Sequence, residues 1–378
     1  MPGTPLRVVI AGGGTGGHVF PAMALAEALL RRAPDNQRQV LFVGSEGGLE
    51  ADLIPRHGYP MELLRVGKLK GSAWKVRART LAGLPLALGA ALGILHRFKP
   101  HVVVGVGGYA SAPVVMAASM LRRPVVLLEQ NAIPGVTNRV LSRLARHVAT
   151  SFGHAQGFFP PGKALLLGNP IRAEVSAALL ARTGAEEKAA AGEPPCLLVL
   201  GGSQGARPVN ELVCGALPGL LQEMPGLQVI HQTGPADLER VTARYRELGV
   251  TARVEAFFHD MVQAYEPAWL MVGRSGASTI SELTLAGLPA LLIPYPFAAD
   301  DHQAKNAQEV SEAGGSLVIP QGELTPEILA DRVSRLLSDP ARLGQMGRAM
   351  RAMARPEAAD DVARLVEDLA SGARCSLV

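Results

Sequence analysis

Three glycine- and hydroxyl-rich segments hold the side chains best suited to chemistry, and all three suit the binding of an anion. The first is Ala11-Gly12-Gly13-Gly14-Thr15-Gly16-Gly17-His18, which follows an apolar run and matches GxGxxG through Gly12, Gly14 and Gly17. Glycine lets the backbone turn tightly there, so that main-chain N–H groups and a helix N-terminus come against phosphate. The helix is expected to open near Phe20-Pro21. The second segment, Gly201-Gly202-Ser203-Gln204-Gly205-Ala206-Arg207, follows the first apolar run of the second half-chain. The third is Gly273-Arg274-Ser275-Gly276-Ala277-Ser278-Thr279-Ile280-Ser281-Glu282, with small hydroxyl residues at the expected N-cap and first turn of a helix. It offers N–H groups and hydroxyls to an anion, and Arg274 adds charge. Glu282 stands one turn beyond Ser278 on the same helix face, where a carboxylate can accept hydrogen bonds from both vicinal hydroxyls of a ribose. A capping box joining Ser278 or Ser281 to a nearby acid is the structural alternative.

One glycine loop of this kind also fits a nicotinamide-binding fold, which needs an acid at the end of the second strand to hold a ribose. Glu46 is the candidate. Two such loops, one per half-chain, favour instead a large donor nucleotide on one side and an acceptor on the other. His18 closes the first loop, where an imidazole titrating near neutral pH serves as a general base or orients backbone or acceptor phosphate.

The elements that must position these segments are legible as short apolar runs, each followed by helical pattern. Val8-Val9-Ile10, Val40 to Val43, Val102-Val103-Val104 and Val125 to Leu128 make one series. Leu197 to Leu200, Gln228-Val229-Ile230, Leu270-Met271-Val272 and Ala290 to Ile293 make another. Continuous apolar strands alternating with helices imply parallel sheet covered on both faces. The expected fold is therefore α/β, two doubly wound domains in tandem. Arg182 to Pro195, rich in Ala, Glu and Gly, reads as a linker.

With 378 residues, 48% of them hydrophobic, the chain has material for two cores and is not disordered. No signal peptide is expected, and Cys196, Cys214 and Cys375 lie too far apart for a CxxC pair, which fits reduced thiols of a cytosolic protein. Charge is unevenly spread. From Leu63 to Leu128 there is no Asp or Glu, while Arg65, Lys68, Lys70, Lys75, Arg77, Arg79, Arg97, Lys99, Arg122 and Arg123 fall in that stretch. Such a field attracts nucleic acid, anionic lipid or a phosphorylated substrate. The uncharged run Leu81 to Leu95 within it is shorter than the roughly 20 residues of a spanning helix. The chain is expected to lie on a membrane rather than cross it. Lys68, Lys70, Trp74, Lys75, Arg77 and Arg79 supply cations and one interfacial aromatic.

An ordered series of motifs over nearly the whole chain resembles the MurG family, the UDP-N-acetylglucosamine transferases that convert lipid I to lipid II. The series is Gly13 to Pro21, Gly107-Gly108-Tyr109, Glu129-Gln130-Asn131, Gly168 to Arg172, Gly201 to Ala206, Arg274 to Ala277, Ser281-Glu282, Ala286 to Pro289, and His302-Gln303 with Asn306. Leu128 departs from a histidine that often precedes Glu-Gln-Asn, and His302 departs from a glutamine. The resemblance implies a GT-B fold, two Rossmann-like domains facing across a cleft, with boundaries near 1–172 and 173–355 and a C-terminal helix, 356–378, returning to the first. It implies that Ser203, Gln204 and the Ala277, Ser278, Thr279, Ile280, Ser281 and Glu282 run hold the diphosphate and ribose. It adds Arg172, Asn131 and Gln303 to the donor site, a backbone contact from Phe258 to the uracil, and an approach by Thr15, Gly16 and Gly17. Tyr109 is assigned to the acceptor.

The implied reaction inverts the anomeric carbon: the C4 hydroxyl of a polyprenyl-diphosphate-linked muramyl peptide attacks as UDP leaves. His18 is the expected base and Glu129 the alternative. N–H groups, Ser203, Arg274 and helix dipoles stabilise the leaving diphosphate, with no metal and no cofactor required. The expected partners are UDP-N-acetylglucosamine, that lipid acceptor and an anionic membrane surface, not nucleic acid, with the chain peripheral on the cytoplasmic face of the inner membrane. A diacylglycerol glycosyltransferase and a UDP-N-acetylglucosamine epimerase are the alternatives on the same architecture, followed by a non-enzymatic nucleotide-binding module.

Overall fold

Residues alternate along the first strand, β1 (Leu6–Gly12), between two buried layers, as a strand covered on both faces requires. Val8 and Ile10 pack with the helices Gly16–Arg31 and Ala358–Ser371, while Val9 and Ala11 pack with Trp74–Phe98 and Ser111–Met120. In this computed structural model, residues 5–32, 37–66, 74–202 and 204–373 are described, the side chains of 74–82 and of Ala299 excepted.

Chain contacts divide the molecule into two units, Met1–Ala173 with Arg355–Val378, and Glu174–Ala354. The first holds β1, β2 (Arg38–Ser45), β3 (Met61–Leu64), β4 (Val102–Gly107), β5 (Val125–Glu129), β6 (His147–Thr150) and β7 (Ala164–Leu166). All pair in parallel, in the order β3-β2-β1-β4-β5-β6-β7, with Val8 beside both Val40 and Val102. The second holds β8 (Cys196–Leu200), β9 (Gln228–Gln232), β10 (Thr251–Glu255), β11 (Leu270–Gly273), β12 (Ala290–Leu292) and β13 (Ser316–Val318). These are also parallel, ordered β10-β9-β8-β11-β12-β13. Strand order reverses at β1/β4 in one sheet and at β8/β11 in the other, and ligands bind outside the carboxyl ends of strands at such points.

The last helix, Ala358–Ser371, lies on Gly16–Arg31 of the first unit. Arg31 pairs with Asp360 at 2.7 Å and Arg32 with Glu367 at 3.1 Å.

Two expectations are corrected. The segment 182–195 is not a linker: it lies inside the second unit and forms the helix Ala185–Ala190. Arg182 is buried and donates to the carbonyls of Tyr265, Ala268 and Ala286, so this stretch is fastened to the core. The helix after the first glycine loop opens at Gly16, not near Phe20, so Gly16, Gly17 and His18 form its first turn. Trp74–Phe98 runs as one helix through Pro85, and among the described residues no helix is long and apolar enough to cross a membrane.

Candidate active site

In the first unit the loops after β1, β4 and β5 share the carboxyl edge of the sheet. The glycine loop passes so close to the turn after β4 that side chains are excluded. Gly13 N–H donates to the Gly107 carbonyl at 3.2 Å, and a Cβ on Gly108, at φ +81°, would stand 2.4 Å from the Gly13 oxygen. Beneath the loop lies Glu50, which the sequence reading missed. Its buried carboxylate accepts from Gly14 N–H at 2.6 Å, Ser45 N–H at 3.0 Å and Ser45 Oγ at 2.8 Å. A Cβ on Gly13, Gly44 or Gly48 would collide with it, so three glycines make its room. The N–H that a dinucleotide phosphate would need at Gly14 is thus already engaged. Glu46, the acid that reading required, pairs instead with Arg65 at the surface.

The Nδ1 of His18 lies 3.1 Å from the Gly13 carbonyl and 3.3 Å from Thr15 Oγ1. A carbonyl only accepts, so Nδ1 carries the proton in the neutral ring and Nε2 carries the lone pair. Nε2 faces the Gly107 turn, 3.0 Å from where a Cβ would stand. Glu129 is placed differently. Its buried carboxylate accepts from Asn131 N–H at 3.0 Å, Gly135 N–H at 3.2 Å and Asn138 Nδ2 at 2.9 Å. Burial raises its pKa against those hydrogen bonds. It clasps the 130–138 loop and holds Asn131. Tyr109 follows the Gly107-Gly108 turn, and Arg172 pairs with Glu27 at 3.3 Å.

In the second unit the loops after β8, β10, β11 and β12 converge in the same way. Gln232, at the end of β9, joins two of them: its Nε2 donates to the Gly202 carbonyl at 3.1 Å and its Oε1 accepts from Phe258 N–H at 2.9 Å. The N–H of Phe258 is therefore engaged, which leaves its carbonyl for the implied uracil contact. Gln204 stands exposed at the tip of the glycine loop, and Ser203 lies outside the described residues. Gly205, at φ +75°, crosses Thr233 with no space for a Cβ.

The helix Ala277–Ala286 begins after β11, and its first i→i−4 bond is Ile280 N–H to the Gly276 carbonyl. The N–H groups of Ala277, Ser278 and Thr279 have no acceptor within the helix, the usual condition of a first turn. No capping box forms here: Ser281 Oγ donates back to the Ala277 carbonyl at 2.9 Å, and Ser278 Oγ is buried without a partner. Glu282 accepts from the buried hydroxyl of Tyr265 at 2.7 Å, and burial, opposed by that hydrogen bond, brings its carboxyl up to about 7. Arg274 is buried, with its guanidinium on the Ile293 and Pro294 carbonyls and Gln321 Oε1. These bonds brace the loop after β12. Gln303 is fixed alongside, its carbonyl accepting from Ser275 Oγ at 2.8 Å and its Oε1 from Tyr295 N–H at 3.0 Å. No group of His, Cys, Asp and Glu among the described residues has metal-binding geometry.

Two doubly wound units, each with a glycine loop after its first strand, and an acid one turn into a helix on the second, are the architecture of the GT-B nucleotide-sugar enzymes. The chain belongs to glycosyltransferase family 28: residues 8–150 match its N-terminal domain and 196–362 its C-terminal domain. A protein of Myxococcus xanthus, named UDP-N-acetylglucosamine–N-acetylmuramyl-(pentapeptide) pyrophosphoryl-undecaprenol N-acetylglucosamine transferase, is 45% identical over 96% of this chain and 93% of its own. A relative of the same name from Geobacter sulfurreducens is 43% identical over 94% of this chain and 97% of its own. The crystal structure of Acinetobacter baumannii MurG superposes with a TM-score of 0.80 at 30% identity, covering 96% of this chain and all of that one. A UDP-GlcNAc 2-epimerase from Neisseria meningitidis shares the fold alone, at TM-score 0.65 and 12% identity over 95% of this chain and 98% of its own.

Proposed function

We propose that the chain transfers N-acetylglucosamine from UDP-N-acetylglucosamine to the C4 hydroxyl of a polyprenyl-diphosphate-linked muramyl peptide, with inversion, in peptidoglycan synthesis. The observation that carries this reading is the first turn of Ala277–Ala286, where unpaired N–H groups and the unpartnered Ser278 Oγ stand one turn from Glu282. The match to the named transferases over almost the full chain specifies the sugar and acceptor.

The second unit supplies the donor half. The N–H groups of 277–279, with the Ser203-Gln204 loop, stabilise the charge that grows on the departing diphosphate. Glu282 holds the ribose hydroxyls, and the Phe258 carbonyl takes the uracil N–H. Gln303 meets the sugar, while Arg274 acts by bracing the loop beside it. The first unit supplies the proton acceptor: His18 Nε2 takes the acceptor hydroxyl proton while the Gly13 carbonyl fixes the ring. Glu129 acts through the Asn131 loop and not as base. Thr15, Gly16 and Gly17 contribute to donor binding, and Tyr109 serves the acceptor.

The enzyme works as a peripheral protein on the cytoplasmic face of the inner membrane. Lys68 and Lys70 lie outside the described residues, as do the side chains of Trp74, Lys75, Arg77 and Arg79. The support comes from exposed apolar side chains elsewhere on the first unit. Leu86 is 80% exposed, and Met120, Val136 and Val140 are each about 60% exposed on helices of the same unit. Exposed apolar surface on a unit rich in cations suits an anionic bilayer.

The test is UDP release from UDP-N-acetylglucosamine with and without the muramyl lipid. Release that requires the lipid supports transfer, and conversion of the sugar nucleotide to its 2-epimer without lipid would replace the reading with the epimerase.

A further inference from the structure

A carboxylate without a cation lies directly beneath the first glycine loop. Glu50 opens the helix Glu50–Arg56 and is buried, and among the described residues no Lys, Arg or His pairs with it. Its Oε1 accepts from both donors of Ser45, at the end of β2, while its Oε2 accepts from Gly14 N–H alone. Burying a charge without a counter-ion is costly, and an apolar residue would seat this helix on β2 without that cost. The loop is built around the carboxylate instead: a Cβ on Gly13, Gly44 or Gly48 would come within 2.5 Å of its side chain. An acid in a first turn also complements the helix dipole, but an exposed acid does so as well. The dipole gives no reason to bury this one and aim it at the loop.

The Gly14 N–H and the Gly13 carbonyl belong to one peptide unit. Its N–H donates to Glu50 Oε2 at 2.6 Å, and its carbonyl oxygen lies 3.1 Å from His18 Nδ1. Gly13 is held from the other side too, where its own N–H donates to the Gly107 carbonyl at 3.2 Å. A hydrogen bond at one end of a peptide polarises the other end, and chains of such bonds reinforce one another in a low-dielectric site. The charge on Oε2 therefore makes the Gly13 oxygen more negative and strengthens its bond to the imidazole N–H.

We propose that Glu50 is a positioning residue for His18 and acts through the Gly13–Gly14 peptide. It fixes the Nδ1-protonated ring before the reaction and stabilises the imidazolium formed during it. This role rests on the reading of His18 as the base. Nε2 takes the proton of the acceptor hydroxyl, the oxygen's electron pair forms the new bond to the anomeric carbon, and the bond to UDP breaks. The ring then holds a proton on each nitrogen and one positive charge, while Glu50 keeps its negative charge and takes no proton. The arrangement is that of a carboxylate–imidazole pair with one peptide interposed.

Two measurements on the full chain test it. The first is nitrogen NMR of histidine-labelled protein at alkaline pH, with the His18 signals assigned by their loss in His18→Ala. Wild type should show the Nδ1-protonated tautomer alone. Glu50→Gln keeps the shape but removes the charge, and should show a mixture of the two tautomers. The second is a double-mutant cycle in kcat with the muramyl lipid. Glu50→Gln should lower kcat about tenfold or more, with UDP-sugar affinity unchanged within about twofold. In a His18→Ala background the same substitution should cost less than about twofold, because the group it acts through is gone. A residue that only holds the loop would lower kcat equally in both backgrounds. A wild-type ring protonated at Nε2, equal tautomer populations in wild type and Glu50→Gln, or additive losses in the cycle overturns the proposal. Wild-type kcat in His18→Ala would instead overturn the reading of His18 as base, and the tautomer measurement would still decide whether Glu50 holds the ring.

Discussion

Lowering the pH from 8 to 6 should weaken the binding of UDP-N-acetylglucosamine about tenfold, because Glu282 changes charge in that interval. Its carboxyl titrates at about 7, raised by burial. At one pH unit either side, roughly nine-tenths of the group is ionised or protonated respectively. If only the carboxylate accepts from both ribose hydroxyls, the competent fraction falls from about 0.9 to about 0.1, a tenfold loss. The sugar nucleotide is the right ligand for this test, since its diphosphate diester has no ionisation between pH 6 and 8, whereas the terminal phosphate of UDP does. Titration calorimetry across that range reads the effect directly. Tyr265→Phe removes the hydrogen bond that favours the charged form, so the same loss should occur at higher pH. Glu282→Gln should bind weakly with no pH dependence over the interval. A flat wild-type profile, or a Glu282→Gln profile that follows the wild type, would refute the reasoning.

The same carboxyl makes a prediction about stability. Its folded pKa lies above the ordinary value of 4.5, so the folded protein binds the extra proton and stability falls as pH rises from about 5 to 8. Glu282→Gln should match the wild-type melting temperature at pH 5 and exceed it at pH 8. His18→Ala should lower kcat by roughly 10²-fold or more while UDP-sugar affinity, measured by calorimetry, stays within twofold, as expected for loss of a base. Glu50→Ala should remove the shared acceptor of the Gly14 and Ser45 donors at the first glycine loop, at about 1–3 kcal/mol in all, read as a fall in the urea midpoint.

The strands that were legible in the sequence are those with apolar runs: β1, β2, β4 and β5, then β8, β9, β11 and β12. The rest lie away from the sheet centres and lack such a run. Ala164–Leu166 and Ser316–Val318 are three residues each, too short for any period to show, and Thr251–Glu255 carries Arg253 and Glu255 at a sheet edge. The glycine loops and the hydroxyl-rich helix start were legible because backbone approach demands those residue types. Glu50 was not, since its role depends on three glycines from separate elements making room for one carboxylate, although the Gly47-Gly48 pair before it was a signal. Arg182 was misread because its Ala- and Pro-rich surroundings mimic a linker, while its partners are carbonyls more than eighty residues away. The charge of Arg274 is visible in the sequence, while the carbonyls that hold its guanidinium are not.

The central claim is inverting transfer to a C4 hydroxyl, and the most direct test is the structure of the product. Wild-type enzyme is incubated with UDP-N-acetylglucosamine and the muramyl lipid, and the new glycosidic bond is assigned by proton coupling and long-range carbon correlation in NMR. A 4-deoxy muramyl acceptor is run in parallel. The account predicts a single β-linkage to C4 and no product from the 4-deoxy acceptor. An α-linkage, attachment at another hydroxyl, or turnover of the 4-deoxy compound would contradict it.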